Sequence, residues 1–184
     1  MIRKTFLFLL PIPALCLTAG CMFGSRSQAP GIFDLEQPAV RKTALPFQVE
    51  FSLFRNLSGA DRRLLTRNGN RMEYDGSSRW IQDPELLLER YLRTALRGSG
   101  KDVVRIRGVI TAFETDSQQK TAVLSVDFTL RTGERNTAFS CTAQEKLSGK
   151  TPEQAVKALN ACAVRIAAQL EARMKKFMNA PNSL

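Results

Sequence analysis

The chain has 184 residues, four cysteines and no histidine, and 27 Lys and Arg against 17 Asp and Glu give it a net charge of +10. This length fits a single domain, which usually spans about 100–200 residues. Without histidine the protein cannot form a Ser-His-Asp triad, a Cys-His pair or an imidazole metal site. The cysteines also lack the C-x-x-C spacing of a zinc site. The sequence therefore predicts neither a metal nor another bound cofactor.

Residues 1–20 have the layout of a signal peptide. Arg3 and Lys4 precede an apolar run from Phe6 to Leu17, which is too short to span a membrane and contains two prolines. The run leads into Leu17-Thr18-Ala19-Gly20-Cys21, which resembles the lipobox of bacterial lipoproteins. In that motif the cysteine becomes the first mature residue and carries acyl chains, so a covalent lipid on Cys21 is predicted. The alternative is an ordinary cleaved signal in which the cysteine occurs at this place by chance.

The residues after the anchor indicate where the protein resides. Residues 21–30 are rich in small and polar side chains and predict a flexible tether. Met22 stands where an Asp would resemble an inner-membrane retention signal. If the cell is Gram-negative, we therefore expect a lipid-anchored protein at the periplasmic face of the outer membrane.

Cleavage after residue 20 removes only Arg3 and Lys4 from the basic residues, which leaves 25 basic against 17 acidic residues and a charge of +8. Nucleic acid is not the expected partner in a periplasm. The positive charge either contacts anionic lipid headgroups or forms an ordinary solvated surface of mixed charge.

The segments that follow the tether predict strands. Gly31 to Leu35 is expected to form a short first strand before Pro38. From Phe47 to Phe54, apolar and polar residues alternate, which predicts a half-buried strand. The side chains expected on its inner face are Phe47, Val49, Phe51 and Leu53.

A hairpin is predicted between Arg62 and Asp75. Asn68-Gly69 at its centre favours a type I′ turn, because both central residues of that turn have positive φ. A turn about this pair sets Leu65 opposite Met72, with Tyr74 on the same face.

A helix is expected next. Asp83 suits its N-cap and Pro84 its first position, and Gly98 is expected to end it in a left-handed conformation. The apolar stripe of this helix consists of Leu88, Tyr91, Leu92 and Ala95.

The segment from Val103 to Leu147 predicts a meander of three strands. The residues expected on one face of its first strand are Val104, Ile106, Ile110 and Ala112. The second and third strands alternate through Ala122, Leu124, Val126, Phe128 and Leu130 and through Phe139, Cys141 and Ala143.

A long final helix opens with the capping-box sequence Thr151-Pro152-Glu153-Gln154. Its apolar stripe consists of Ala155, Leu159, Cys162, Ile166, Leu170 and Phe177. The order of strands, helix, strands and helix predicts an α+β fold, with a mostly antiparallel sheet and two helices packed on one face. We expect residues 31–180 to form this single globular domain.

Cys141 and Cys162 are both expected in the layer between sheet and helix. An oxidising periplasm permits a disulfide between them. The alternative is two free thiols that pack as small apolar side chains. A Cα separation beyond about 7 Å would rule the disulfide out.

One run of sequence carries a family resemblance. Arg71-Met72-Glu73-Tyr74 leads to Arg79-Trp80, and Asp83-Pro84 then opens a helix. Together with the lipobox, the early strand, the sheet and the long final helix, this order resembles the ABC-type transport auxiliary lipoproteins, a family of PqiC-like outer-membrane proteins.

The resemblance implies a non-enzymatic accessory role in moving lipids between the inner and outer membranes. The implied partners are the components of an ABC transporter and a substrate-binding protein of the MCE type. A homo-oligomeric collar at the outer membrane would suit such a docking role. The alternative function is an assembly factor, pilotin-like or chaperone-like, for another outer-membrane complex.

Arg79 and Trp80 are the candidate partner-contact residues. Trp and Arg are enriched at binding hot spots, which favours an interface. The alternative is that Trp80 packs in the core beneath the first helix, with Arg79 held by a carboxylate such as Glu73 or Asp83.

Overall fold

The computed structural model describes residues 31–38 and 44–180, which form seven strands and two helices. In chain order these elements are β1 (Gly31–Phe33), β2 (Gln48–Asn56), β3 (Arg63–Asn68), β4 (Arg71–Trp80), α1 (Pro84–Ala95), β5 (Val103–Asp116), β6 (Thr121–Thr132), β7 (Arg135–Lys146) and α2 (Pro152–Asn179). The predicted signal peptide, the lipid anchor Cys21 and the tether lie outside the described residues.

All seven strands belong to one mixed sheet, which confirms the predicted α+β class. The strand order is β1-β4-β3-β5-β6-β7, and β2 also pairs with β5. The meander β5-β6-β7 is antiparallel as predicted, whereas β1–β4, β2–β5 and β3–β5 are parallel pairs. β5 is 14 residues long, so one edge of it accommodates both β2 and β3.

Both helices pack against the sheet and contact each other. α1 lies against β2, and α2 lies against β5, β6 and β7. The predicted stripe of α1 is buried throughout, as are most members of the α2 stripe. The inner face of β6, from Ala122 to Leu130, is at most 1% exposed. Burial of this apolar layer is the main force that holds the helices on the sheet.

Two β-bulges change which side chains face the core. In β2 the register shifts after Phe51, so that Leu53 is 43% exposed and Phe54 is buried in its place. In β5 the register shifts after Ile110, which turns Ala112 outward and Phe113 inward. The expectations for Leu53 and Ala112 were therefore wrong, because an extra residue in one strand reverses the alternation beyond it.

The β3–β4 hairpin turns one residue later than predicted. Gly69 has a φ of +60° and no other turn residue has a positive φ, as in a type II′ turn with Gly69-Asn70 at its centre. Leu65 consequently lies opposite Tyr74, not Met72.

Gly98 does not end α1 in a left-handed conformation. The helix ends at Ala95 with Leu96 as its C-cap, and Gly98 instead forms an isolated parallel bridge with Leu45. A Cβ atom at Gly98 would lie 1.9 Å from the carbonyl oxygen of Phe47. Glycine is needed here for the close approach of two backbones.

The capping box of α2 is present, with the Thr151 N–H donating to Oε1 of Gln154 at 3.2 Å. None of the helices in the described part of the chain is long and apolar enough to cross a membrane.

Candidate functional site

Trp80 ends β4 with its side chain in the core. Its exposed fraction is 0%, and its ring lies 5.2 Å from the ring of Phe113, centroid to centroid. A fully buried side chain cannot contact a partner, so the interface role is wrong for Trp80 and the core alternative is confirmed.

The backbone around Trp80 is held by a neighbouring arginine. The Trp80 N–H donates to the carbonyl oxygen of Arg62 at 2.5 Å. The Arg62 guanidinium donates in return to the carbonyl oxygens of Trp80 (3.3 Å) and Ile81 (3.0 Å). These hydrogen bonds fix the chain where it passes from β4 towards α1, a role of Arg62 that no local sequence pattern indicates.

Arg79 is exposed, on the opposite side of β4 from Trp80. It pairs in register with Arg63, which binds Asp61 and stacks over the Tyr74 ring at 4.0 Å. The Arg63 guanidinium lowers the pKa of the Asp61 carboxyl, and the charge of Arg79 adds a smaller effect of the same sign.

Neither carboxylate expected to hold Arg79 does so within the described residues. Glu73 pairs instead with Arg71, at 3.3 Å. Arg79 therefore presents an accessible guanidinium at the surface, and its role as a partner contact stays a prediction.

The first described strand binds directly to this motif. In the parallel β1–β4 pair, Gly31 lies opposite Ser78, Ile32 opposite Arg79 and Phe33 opposite Trp80. The Ile81 N–H also donates to the carbonyl oxygen of Phe33, at 2.8 Å. The predicted tether from Cys21 thus reaches the domain at the Arg-Trp pair.

Beside this point lies an open groove of about 790 Å³. It separates the inner side of β3 and β4 from the start of α2, with Leu64, Thr66 and Asp75 on one wall and Leu147 and Pro152 on the other. Its walls come from segments about 80 residues apart, so no local pattern in the sequence indicates it. No cluster of His, Cys, Asp or Glu in the described ranges could hold a metal ion.

Cys141 and Cys162 are buried and free. The Cys162 thiol donates to the carbonyl oxygen of Ala122 at 3.6 Å, whereas Cys141 lies opposite Val126. Ala122 and Val126 are four residues apart on β6, a distance of about 13 Å. The two cysteines contact the sheet at different levels, so the disulfide is not formed and the free-thiol alternative applies. Burial raises the pKa of Cys141, and that of Cys162 to about 11.

Comparison with known proteins adds evidence about the fold. No family model and no curated protein matches this sequence. The crystal structure of an uncharacterized protein matches with a TM-score of 0.66 and 11% identity, covering 80% of this chain and 99% of that one. The crystal structure of a DUF330 protein from Xanthomonas campestris matches with a TM-score of 0.55 and 12% identity, covering 81% of this chain and 98% of that one. At these identities the chain shares its fold with a DUF330 protein.

Proposed function

We propose that this protein is an outer-membrane-anchored periplasmic lipoprotein that serves as a non-enzymatic accessory subunit of an ABC/MCE-type intermembrane lipid transport system. The observation that carries the proposal is the pairing of β1, which follows the predicted tether, with the Arg79-Trp80 end of β4. The early strand and the Arg-Trp pair, two features of the family resemblance, thereby lie next to each other in the sheet.

Two further observations support the proposal. The predicted order of an early strand, an Arg-Trp strand end, a helix, a sheet and a long helix is the order of the elements in this fold. Chains of similar fold include a DUF330 protein. The non-enzymatic role rests on the sequence, which has no histidine to act as a base for Ser or Cys.

The arrangement suits a docking subunit. A ten-residue tether spans at most about 33–36 Å, so acyl chains on Cys21 would keep the domain close to the membrane. Two or more acyl chains are needed for stable anchoring, and a lipoprotein cysteine carries them on one residue. Arg79, exposed where the tether joins the domain, would then contact the partner that reaches this membrane.

The proposal is tested by purifying the tagged full-length protein from membranes and identifying its bound proteins and its Cys21 modification by mass spectrometry. We expect acylated Cys21 and co-purified ABC and MCE components. Cys21→Ser should release the protein from the membrane, and Arg79→Glu should leave it folded and anchored but without its partner. Lys157→Glu, an exposed charge reversal on α2, is the matched control and should retain the partner.

Failure of every transporter component to co-purify with the wild-type protein would reject the transport role. If the proteins recovered instead belonged to a secretion or assembly complex of the outer membrane, the assembly-factor alternative would replace it.

A further inference from the structure

The side of the sheet that faces away from the helices carries a group of exposed arginines. Strand alternation directs their side chains outward from β2, β5 and β6. We call this group the arginine face, and it consists of Arg55, Arg105, Arg107 and Arg131. No helix in the described part of the chain covers it, because α1 and α2 both pack on the other side.

The strand register brings these arginines together. Arg105 lies directly opposite Arg131 in the antiparallel β5–β6 pair. On the other edge of β5, Leu53 lies opposite Arg107 and Arg55 opposite Val109, so Arg55 and Arg107 are diagonal neighbours. Like charges directly opposite each other destabilise a sheet, so the domain retains this cluster at some cost.

The carboxylates on the same face neutralise only part of this charge. Glu50 pairs with Arg105 at 3.1 Å, and both side chains are more than half exposed. Asp127 accepts a hydrogen bond from Ser140 at 2.6 Å, and Arg131 donates to the carbonyl oxygen of Gly133 at 3.2 Å. Among the described residues, Arg55 and Arg107 make no ion pair.

We propose that the arginine face lies on the anionic phospholipid headgroups of the membrane that holds the Cys21 anchor. Guanidinium groups bind phosphate through paired N–H donors, and basic residues near an anionic surface each add to membrane affinity. Leu53, 43% exposed beside Arg107, supplies an apolar side chain for the headgroup region. This inference rests on the proposed lipid anchor.

The tether is long enough for this contact. Phe33 pairs with Trp80, whose ring contacts Phe113 on β5. Three strand spacings separate β1 from β5, which is about 14 Å across the sheet. Along β5, the six residues from Phe113 back to Arg107 span about 20 Å at right angles to that direction. The arginine face therefore lies roughly 25 Å from the root of a tether that reaches at most about 33–36 Å.

An acidic protein segment is the competing occupant. A membrane fits better because the arginines come from three adjacent strands of an open sheet face, and none of the four arginines flanks the groove beside β4. The anchor would also hold this face at a high local concentration next to lipid throughout the life of the protein.

The experiment places a fluorophore on the acylated, full-length mature protein bound to vesicles. Thr129→Cys puts the label opposite Arg107 on the arginine face, and Val164→Cys puts it on the exposed side of α2. Cys141 and Cys162 are buried, so the introduced thiol is the one that reacts. Accessibility to an aqueous quencher is measured on phosphatidylcholine vesicles with and without an equal part of phosphatidylglycerol.

We expect the label at position 129 to be protected from the quencher on vesicles that contain phosphatidylglycerol and not on pure phosphatidylcholine vesicles. The label at position 164 should be protected on neither kind of vesicle. Salt of about 1 M, where the Debye length is about 3 Å, should abolish the protection. The triple variant Arg55→Gln, Arg107→Gln and Arg131→Gln should lose the protection and remain folded, since it removes like charges. The matched triple Lys150→Gln, Lys157→Gln and Lys176→Gln should retain it.

Protection that is absent from the wild-type protein, or that survives in the arginine triple, overturns the proposal. The proposal is also overturned if the label at position 129 is not protected on anionic vesicles but an acidic protein binds in an arginine-dependent way. That result would assign the arginine face to a protein partner. Flotation with neutral vesicles reports the Cys21 anchor separately. If the protein does not float with these vesicles, the anchor and this inference are both rejected. If it floats but the label at position 129 is not protected on anionic vesicles, this inference alone is rejected.

Discussion

Ile32 lies opposite Arg79 in the parallel pairing of β1 with β4, two residues into the described part of the chain. A three-residue edge strand is thus the structural link between the predicted lipid tether and the domain. Because β4 ends in the buried Trp80, this strand pair joins the first described residues directly to the core.

Trp80 is predicted to be essential for stability. Trp80→Ala removes a side chain that is 0% exposed and packed against Phe113, so it should lower the free energy of unfolding by about 3–5 kcal/mol. Urea unfolding followed by circular dichroism measures the change. Arg79→Ala, one residue away and exposed, is the control and should stay within about 0.5 kcal/mol of wild type. Equal stability of the two variants would contradict the core role of Trp80.

Gly98 is predicted to tolerate no side chain. Gly98→Ala would place Cβ 1.9 Å from the carbonyl oxygen of Phe47, so the strand entering β2 would have to move away. A loss of about 3 kcal/mol is expected, near the upper end for overpacking. In the matched control Gly76→Ala, the new Cβ has no neighbour within 4 Å and the backbone φ is not positive, so stability should hardly change. Thermal unfolding of both variants provides the comparison.

The ion pair of Arg67 with Glu114 is predicted to matter because one partner is buried. Both guanidinium contacts are within 3.0 Å, and the Glu114 side chain is 7% exposed. Arg67→Met leaves that carboxylate unpaired, and we expect a loss of about 3 kcal/mol. Arg71→Met, which removes the exposed pair with Glu73, should cost less than about 1 kcal/mol. A double variant with Glu114→Gln that recovers none of the loss would show that the carboxylate is not its cause.

The Cys162 thiol is predicted to weaken the fold at alkaline pH. Its folded-state pKa, raised by burial from 9.0 to about 11, exceeds that of the unfolded chain. Its contribution to stability is therefore fully present below pH 9 and is lost as pH rises towards 11, because the unfolded state releases the proton first. Urea titrations across this window should give a steeper decline for wild type than for Cys162→Ala. Parallel declines in the two proteins would refute the assignment.

Reaction with a thiol reagent is an independent test of the burial of Cys141 and Cys162. Both free cysteines should react slowly in the native protein and rapidly in urea, since burial raises the pKa of each. Rapid reaction of either thiol without denaturant would mean that the layer between α2 and the sheet opens readily.

The residues of the candidate site can be selected from the sequence, but their burial and their contacts cannot. The order of motifs points to the Arg-Trp pair, but Trp80 is buried and Arg79 is exposed, because neighbouring strand residues point to opposite faces. Only packing decides which face is covered. The β1–β4 contact was not foreseen either, since a parallel partner about 47 residues away leaves no local signature in the chain.

Local sequence patterns are sufficient to predict the elements whose signal lies in consecutive residues. The unbroken alternation of β6 and the apolar stripes of α1 and α2 fixed both the elements and their buried faces. Long-range packing sets the features that such patterns do not show: the bulges after Phe51 and Ile110, the register of the β3–β4 hairpin, the close approach at Gly98 and the burial of Trp80. Each of these depends on contacts between segments far apart in the chain, whereas local periodicity carries information only about the element that contains it.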